Sequence, residues 1–366
     1  MLSKFKVKNF MNFEKELVLD LSSTNQYEFN SRAIKNGISN TALIYGMNGS
    51  GKSNLGLAVF DIALNLTDKQ KNLNHYRHYL NLKSDQNAKF TYEFNFNGAN
   101  LVYKYEKSGV QKMVIEDLYI NDKHVLSYDH IAHVGFTSLL GTETLNTDLN
   151  EKNISFVKYI GSNAILSESD ENRTFYDFIS FVDNMLLFSS LEKNFYLGYR
   201  LGGDTISRAI VEQGHLKGFE DFLREIGIDY SLVEGNVDGE TEIFCDFGNN
   251  KKANFFSIAS RGTCSVSLFY YWLINMAEVS FVFIDEFDAF YHNELAKFIV
   301  SVLLEQNAQA VLTTHNTSIM TNSIMRPDCL YNLQSNTIHP FSKLTNKDIR
   351  KAHNIEKMYK AGSFNV

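Results

Sequence analysis

The chain has 366 residues, of which 44% are hydrophobic and 21% charged, and its net charge is −7. That size and balance exclude a disordered chain and suit two or three packed units around one or two cores; the acidic excess argues against a broadly cationic nucleic-acid coat, though it permits a local basic groove. Cys245, Cys264 and Cys329 fit neither a zinc spacing nor a disulfide framework, and the N-terminal MLSKFKVKNF lacks the apolar core of a signal peptide, so a reducing cytoplasm is expected.

Residues 2 to 21 alternate Phe5, Val7, Phe10 and then Leu17, Val18, Leu19 around a polar turn at Asn12 to Lys15, which predicts a β-hairpin. The apolar run Ala42 to Tyr45 predicts a short buried strand. It leads into Gly46-Met47-Asn48-Gly49-Ser50-Gly51-Lys52-Ser53, which fits the pattern GxxxxGK[ST] at every fixed position. Glycines there let backbone N–H groups close around a polyphosphate. The lysine reaches the outer phosphates and the last hydroxyl holds Mg²⁺. Residues 53 to 65 place apolar side chains three and four apart, as a helix leaving such a loop should. The alternative is a chance glycine-rich turn, and the strand before and helix after weigh against it.

Residues 68 to 88 are polar and read as a loop or a short exposed helix. Residues 89 to 130 contain alternating segments with turns at Asn97-Gly98 and Asn121-Asp122, which predicts an antiparallel sheet. His130 and His133 have no further ligand nearby and read as ordinary surface or sheet residues. Residues 141 to 153 are expected to be a polar linker. Residues 171 to 225 read as largely helical, broken near Gly198 to Gly203 and at Gly214, and residues 229 to 256 return to strand character. No internal repeat and no sustained heptad series occurs.

Residues 257 to 263 (SIASRGT) open the helix that begins near Cys264; they form either an anion site at a helix N-terminus or a plain Ser/Thr cap. Residues 264 to 284 are nearly long and apolar enough to span a bilayer. Asn275, Glu278 and Ser280 interrupt them, so a buried helix, a turn at Ala277 to Val279 and a buried strand are expected. That strand ends in Asp285-Glu286. Two carboxylates at the C-terminal end of a buried strand stand where an α/β sheet places its ligand. Asp285 is the candidate Mg²⁺ ligand, and Glu286 the candidate base for the attacking water. An acidic loop after a core strand is common, so the pairing with residues 46 to 53 carries this reading. Residues 310 to 316 form another apolar strand ending in a polar cluster, and His315 is placed beside the γ-phosphate on the neighbouring strand.

Together these elements resemble the ABC-type ATPase heads of the SMC, RecF and OLD (overcoming lysogenization defect) proteins. The line Phe5-Lys6-Val7-Lys8-Asn9-Phe10-Met11-Asn12-Phe13 looks like the opening of those heads. Ser260-Arg261-Gly262-Thr263, Asp285-Glu286-Phe287-Asp288-Ala289-Phe290-Tyr291-His292 and the C-terminal Ile355-Glu356-Lys357-Met358-Tyr359-Lys360-Ala361-Gly362-Ser363-Phe364 are similar to stand-alone ATPases of bacterial anti-phage systems, the RloA/AbiLi-like abortive-infection group. The likeness covers about residues 1 to 66 and 250 to 366. Arg261 replaces a small residue of the group's signature, and neither a Q-loop glutamine nor a Toprim-like nuclease block stands out.

The resemblance implies an α/β fold: an ABC-type P-loop ATPase head of a mixed sheet flanked by helices, with an N-terminal antiparallel β subdomain. Residues 1–66 and 250–366 would form that head. Residues 67–256 would be a β-rich, then helical, regulatory or partner-binding insert, part of whose β portion packs on the head. ATP and Mg²⁺ are the implied ligands, held by Gly46, Asn48, Gly49, Ser50, Gly51, Lys52, Ser53, Asn54 and Asp285, with Glu286, His315 and Lys52 catalytic. Ser260, Arg261, Gly262 and Asp288 would serve the nucleotide of a second copy across a head-to-head pair. His292 is expected to cap or brace the next helix. The expected function is a Mg-dependent ATPase that pairs on ATP and regulates a separately encoded toxin or nuclease effector in anti-phage defence. The alternatives are a RecF-like repair or recombination ATPase on duplex DNA and a nucleotide-gated scaffold with negligible turnover.

Overall fold

Two seven-stranded sheets organise the described residues of the computed structural model, which are 1–69, 73–149, 154–190, 196–198, 205–334 and 336–364. The first sheet is antiparallel. Its strands run in the spatial order 134–137, 123–129, 112–120, 99–109, 88–96, 2–8, 17–20. The expected N-terminal hairpin is its edge, and the expected turns at Asn97-Gly98 and Asn121-Asp122 join its longer strands. The second sheet runs 196–198, 185–189, 281–285, 309–314, 41–45, 330–334, 337–340. Its five inner strands are parallel and the two outer ones pair antiparallel. A third, three-stranded sheet spans Leu232–Val237, Glu240–Asp246 and Lys252–Asn254. This is the expected mixed α/β architecture with an antiparallel β subdomain.

The inner strands of the second sheet are buried on both faces, which is why they read as unbroken apolar runs and not as alternation. Their side chains divide by a period of two. Ala42, Ile44, Phe281, Phe283 and Val311 join a core shared with the antiparallel sheet. Leu43, Tyr45, Val282, Ile284 and Leu312 join the opposite core with the helix Arg261–Leu273 and the helix Asn293–Leu304. Gln309, the first residue of the central strand 309–314, ties the two sheets together. Its buried amide accepts from Leu2 N at 2.9 Å and donates to Leu2 O at 2.8 Å and Ser39 O at 3.0 Å.

The helix leaving the glycine-rich loop is shorter than expected. Lys52–Val59 ends at Phe60 and a second helix, Asp61–Leu66, follows. The break places Asp61 against the antiparallel sheet, wholly buried. Its carboxylate accepts from Tyr79 and Tyr105 hydroxyls at 2.8 Å each and from Lys107 Nζ at 3.2 Å. Burial lowers the Lys107 ammonium's pKa, and Asp61 opposes that shift. A buried charge pair bonded this fully is tolerated; leaving one partner alone costs about 3–5 kcal/mol.

Several local expectations need correction. Of the loop or short exposed helix expected at 68 to 88, the described residues form the loop, with a 3-10 turn at Asn74–Tyr76 and with Tyr76 and Tyr79 buried. The largely helical stretch 171 to 225 contains the strand Met185–Ser189, next to 281–285. A five-residue apolar run is the same in periodicity whether it is helix or two-sided strand, and the neighbouring helix masked it. The described part of the expected linker 141 to 153 exposes residues 143, 144, 146 and 148 but is anchored by buried Thr142 and by buried Leu149, whose N–H donates to the Tyr128 hydroxyl at 3.2 Å. The break expected at Gly198 to Gly203 lies mostly outside the described residues. Strand pairing joins the regions expected as head and insert, since 2–8 pairs with 88–96 and 281–285 pairs with 185–189. Residues 264 to 284 are a helix, a turn and a strand, and among the described residues no helix is long and apolar enough to cross a membrane.

Gly56 sets how closely the loop's helix lies on the sheet. A Cβ there would stand 2.7 Å from Phe283 Cε1 and 3.1 Å from Leu187. Gly56→Ala is therefore expected to destabilise the protein by about 1–2 kcal/mol, despite the ~1 kcal/mol that alanine gains in helix propensity. Urea unfolding of the two proteins checks this.

Candidate functional site

The parallel register brings three strand ends to one place. The strand Thr41–Tyr45 delivers the glycine-rich loop, Phe281–Asp285 delivers the two carboxylates, and Gln309–Thr314 lies between them in the sheet. Gly46 N donates to Thr314 O at 3.2 Å, so the loop begins on the strand that ends beside His315.

Gly51 is the N-cap of the helix Lys52–Val59, with φ +100, a left-handed value that suits glycine. Its missing Cβ is required twice over, since one would come within 2.5 Å of Asn12 Nδ2. No side chain caps this helix. Its first N–H groups thus present a positive dipole end to an anion.

Lys52 is buried, 4% exposed, and its Nζ donates to Gly46 O at 2.9 Å and Met47 O at 3.3 Å. Glu286 Oε1 lies 3.9 Å from that nitrogen. Ser53 Oγ donates to Asp285 Oδ2 at 2.6 Å. The other oxygen, Oδ1, accepts from Thr313 Oγ1 at 2.7 Å, and that hydroxyl accepts from Glu286 N at 2.8 Å. Glu286 has φ +46, a left-handed value that costs a non-glycine residue on the order of 1 kcal/mol and recurs at functional positions. The hydroxyl of Thr313 and the bond from Ala289 N to Glu286 O, 3.1 Å, hold it there.

Asn54 Nδ2 donates to Asn12 Oδ1 at 2.6 Å, which joins the N-terminal hairpin's turn to the loop. Asn48 and Gly49 are exposed at the loop tip, and Ser50 Oγ is buried with no hydrogen-bond partner. Asp288 is buried and its carboxylate is turned inward, where Thr314 Oγ1 donates to it at 2.9 Å. Burial raises its pKa against the pull of Thr314, Asn316 and the His315 charge. His315 is exposed immediately beyond the strand 309–314.

Ser260 is the N-cap of the helix Arg261–Leu273 and accepts from Thr263 N at 3.1 Å, so the plain cap is present. Ser260 and Arg261 are exposed. Among the described residues, no hydrogen bond or ion pair joins Ser260, Arg261 or Gly262 to the 46–53 loop of the same chain. A Cβ on Gly262 would lie 3.1 Å from Phe290 O, so this helix start abuts the loop after Glu286. His292 caps the helix Asn293–Leu304 by accepting from Leu295 N at 3.2 Å, as expected. His130 Nε2 bonds Glu116 Oε1 at 2.8 Å, and among the described residues no disulfide and no group of three metal-ligating side chains occurs.

Sequence reasoning missed Thr313 and gave Asn12 no role. A threonine in an apolar strand carries no signal, and the contacts of Asn12 cross 42 positions of sequence. Beside the loop lies a cleft of about 450 Å³, walled by residues 47 to 50, Asn12, Asn332, Leu333, Gln334, Asn336 and Tyr359.

Residues 143–321, just under half of the chain, match the family model described as "AAA domain, putative AbiEii toxin, Type IV TA system". The match takes in Ser260, Asp285, Glu286 and His315 and begins after the glycine-rich loop. No curated protein matches the chain. Among solved structures, the SMC head domain from Thermotoga maritima is similar at 16% identity, covering 93% of this chain and 98% of that one, with a TM-score of 0.43. The Smc head domain with an extended coiled coil bound to the C-terminal domain of ScpA, derived from Pyrococcus furiosus, gives 12% identity, 98% of each chain and 0.46. The recombination mediator protein RecF-ATPrS in the RecFOR pathway gives 13%, 93% and 97%, and 0.42. What the site can do rests on its own geometry.

Thr313→Val keeps the shape but strips Asp285 of a donor and leaves Glu286 N–H without an acceptor. It is expected to cost about 2–3 kcal/mol in denaturant unfolding, whereas Thr313→Ser stays within about 1 kcal/mol.

Proposed function

We propose that this chain is a Mg-dependent ATPase that closes head to head with a second copy on ATP and regulates a separately encoded effector in bacterial anti-phage defence. One observation carries the enzymatic part: Lys52, Ser53, Asp285 and Glu286, from stretches more than 200 residues apart, meet at an uncapped helix N-terminus. The backbone N–H groups of 49 to 53 would cradle the phosphates. Lys52 would exchange its two carbonyl acceptors for phosphate oxygens.

A hydroxyl and a carboxylate 2.6 Å apart are the hard oxygen donors that suit Mg²⁺, and Ser53 and Asp285 would hold it. Bound there, the ion would neutralise charge on the phosphate oxygens. Glu286 would orient and deprotonate the attacking water, its backbone conformation aiming the carboxylate toward Lys52. His315 would hydrogen-bond the γ-phosphate.

Pairing is inferred from the helix start at Ser260, Arg261 and Gly262, where Ser260 and Arg261 are exposed; among the described residues it makes no bond to the 46–53 loop of the same chain, and it would reach the nucleotide of a second copy. Asp288, turned inward, would brace the strand end carrying His315 behind that seam. ATP bound better by the closed pair than by the open one drives closure, and hydrolysis permits opening. The defence role is supported by the abortive-infection-like tail and signature, and by the toxin–antitoxin description of the matching family model. The insert 67–256 would carry the effector surface.

Lys52→Ala is expected to abolish ATP binding, and Glu286→Gln to bind ATP but lower turnover at least 100-fold while accumulating a closed pair. Size-exclusion chromatography with phosphate-release assays reads both; normal turnover in Glu286→Gln rejects the base assignment. Ser260→Arg is expected to abolish turnover while leaving ATP affinity of the single copy within about 3-fold. Equal loss of binding and turnover would place Ser260 outside a shared site. Salt-dependent affinity for duplex DNA would favour the repair reading instead.

A further inference from the structure

The C-terminal segment has no part in phosphate chemistry, yet it closes one wall of the cleft beside the loop. The helix Ile355–Lys360 places Tyr359 against that cleft. Three aromatic rings set its position. Tyr45, the last residue before the glycine-rich loop, stands edge-on at 5.2 Å and 72°. Phe341 stands at 5.9 Å and 81°, and Phe364 packs on Phe341 at 4.9 Å. Glu356 of the same helix accepts from Thr317 Oγ1 at 3.1 Å, two residues beyond His315. The tail is thus fastened to both the loop strand and the His315 segment.

The rest of the cleft wall is uncharged. Asn12, Asn332, Gln334 and Asn336 present carboxamides, and no Asp, Glu, Lys or Arg lines it among the described residues. Two of its polar atoms, Ser50 Oγ and Asn336 Oδ1, are buried without a hydrogen-bond partner. A phosphate would call for cations and a cation for carboxylates. Carboxamides around an aromatic ring suit a flat, neutral heterocycle with mixed donors and acceptors.

We infer that this cleft is a nucleobase subsite that takes the adenine of the nucleotide, with Tyr359 as its aromatic wall and the carboxamides reading the base edge. It rests on the nucleotide reading above and extends that reading to the C-terminal tail. The cleft is continuous with the phosphate loop through residues 47 to 50, so a base bound there shares one ligand with Lys52. A carboxamide matches the adjacent donor and acceptor of adenine. Guanine's paired N–H donors would seek a carboxylate, and the wall offers none.

The test is calorimetric titration of the full chain with ATP, GTP and inorganic tripolyphosphate, each with Mg²⁺, for the wild type, Tyr359→Ala and Tyr359→Phe. Expected are ATP tighter than GTP or tripolyphosphate, an ATP loss of about 10-fold in Tyr359→Ala with tripolyphosphate unchanged, and ATP binding within about 3-fold of wild type in Tyr359→Phe. Equal loss of ATP and tripolyphosphate in Tyr359→Ala, or no loss of ATP, overturns the subsite while leaving the phosphate reading intact. GTP as tight as ATP overturns the adenine assignment. A wild type that binds neither ATP nor tripolyphosphate overturns the nucleotide reading itself.

Discussion

The carboxylate of Asp285 is held from both sides, by the Ser53 hydroxyl on the loop helix and the Thr313 hydroxyl on the adjacent strand. Three separate parts of the chain must be in register for those two bonds to form. The parallel pairing of 41–45, 309–314 and 281–285 supplies that register, and side chains buried on both faces make it costly to slip. The left-handed turn at Glu286 depends on the same threonine, whose oxygen accepts the Glu286 N–H. A single hydroxyl therefore fixes both the metal-type ligand and the direction of the proposed base.

The antiparallel sheet gives this constellation something rigid to rest on. Asp61, two residues past the end of the loop helix, is locked by two tyrosines and Lys107, and Gln309 pins the first strand to the parallel sheet. Asn12, in the turn of the first hairpin, reaches Asn54 and fills the space against Gly51. The phosphate-type loop is thus clamped between two sheets. Movement of one against the other would be felt at Lys52.

Much of the site could be read along the chain because its chemistry is encoded in short spacings. The loop 46 to 53 needs only eight consecutive residues, and the strand ending in Asp285-Glu286 needs six. The capping role of His292 follows from its place just before a helix. The strand 185–189 was hidden because a two-sided buried strand has no period to distinguish it from a helix. The sheet continuity between 2–8 and 88–96 was hidden because antiparallel partners so distant in the chain, such as Phe5 and Tyr92, leave no mark in either segment. Thr313 looked like one more β-branched strand residue, and Tyr359 like one more letter of a tail motif.

The amino-acid sequence by itself determined which residues could bind a phosphate and which could ligate a metal, because loop conformation, helix start and strand end are local consequences of residue type. Only the tertiary structure decided that Asp285 meets Ser53, that Thr313 holds the Asp285 carboxylate and the Glu286 backbone N–H, and that Tyr359 borders the same cleft as the loop. Those relations arise from packing between distant segments, where the free energy comes from buried faces and matched hydrogen bonds and not from any preference of the residues in isolation.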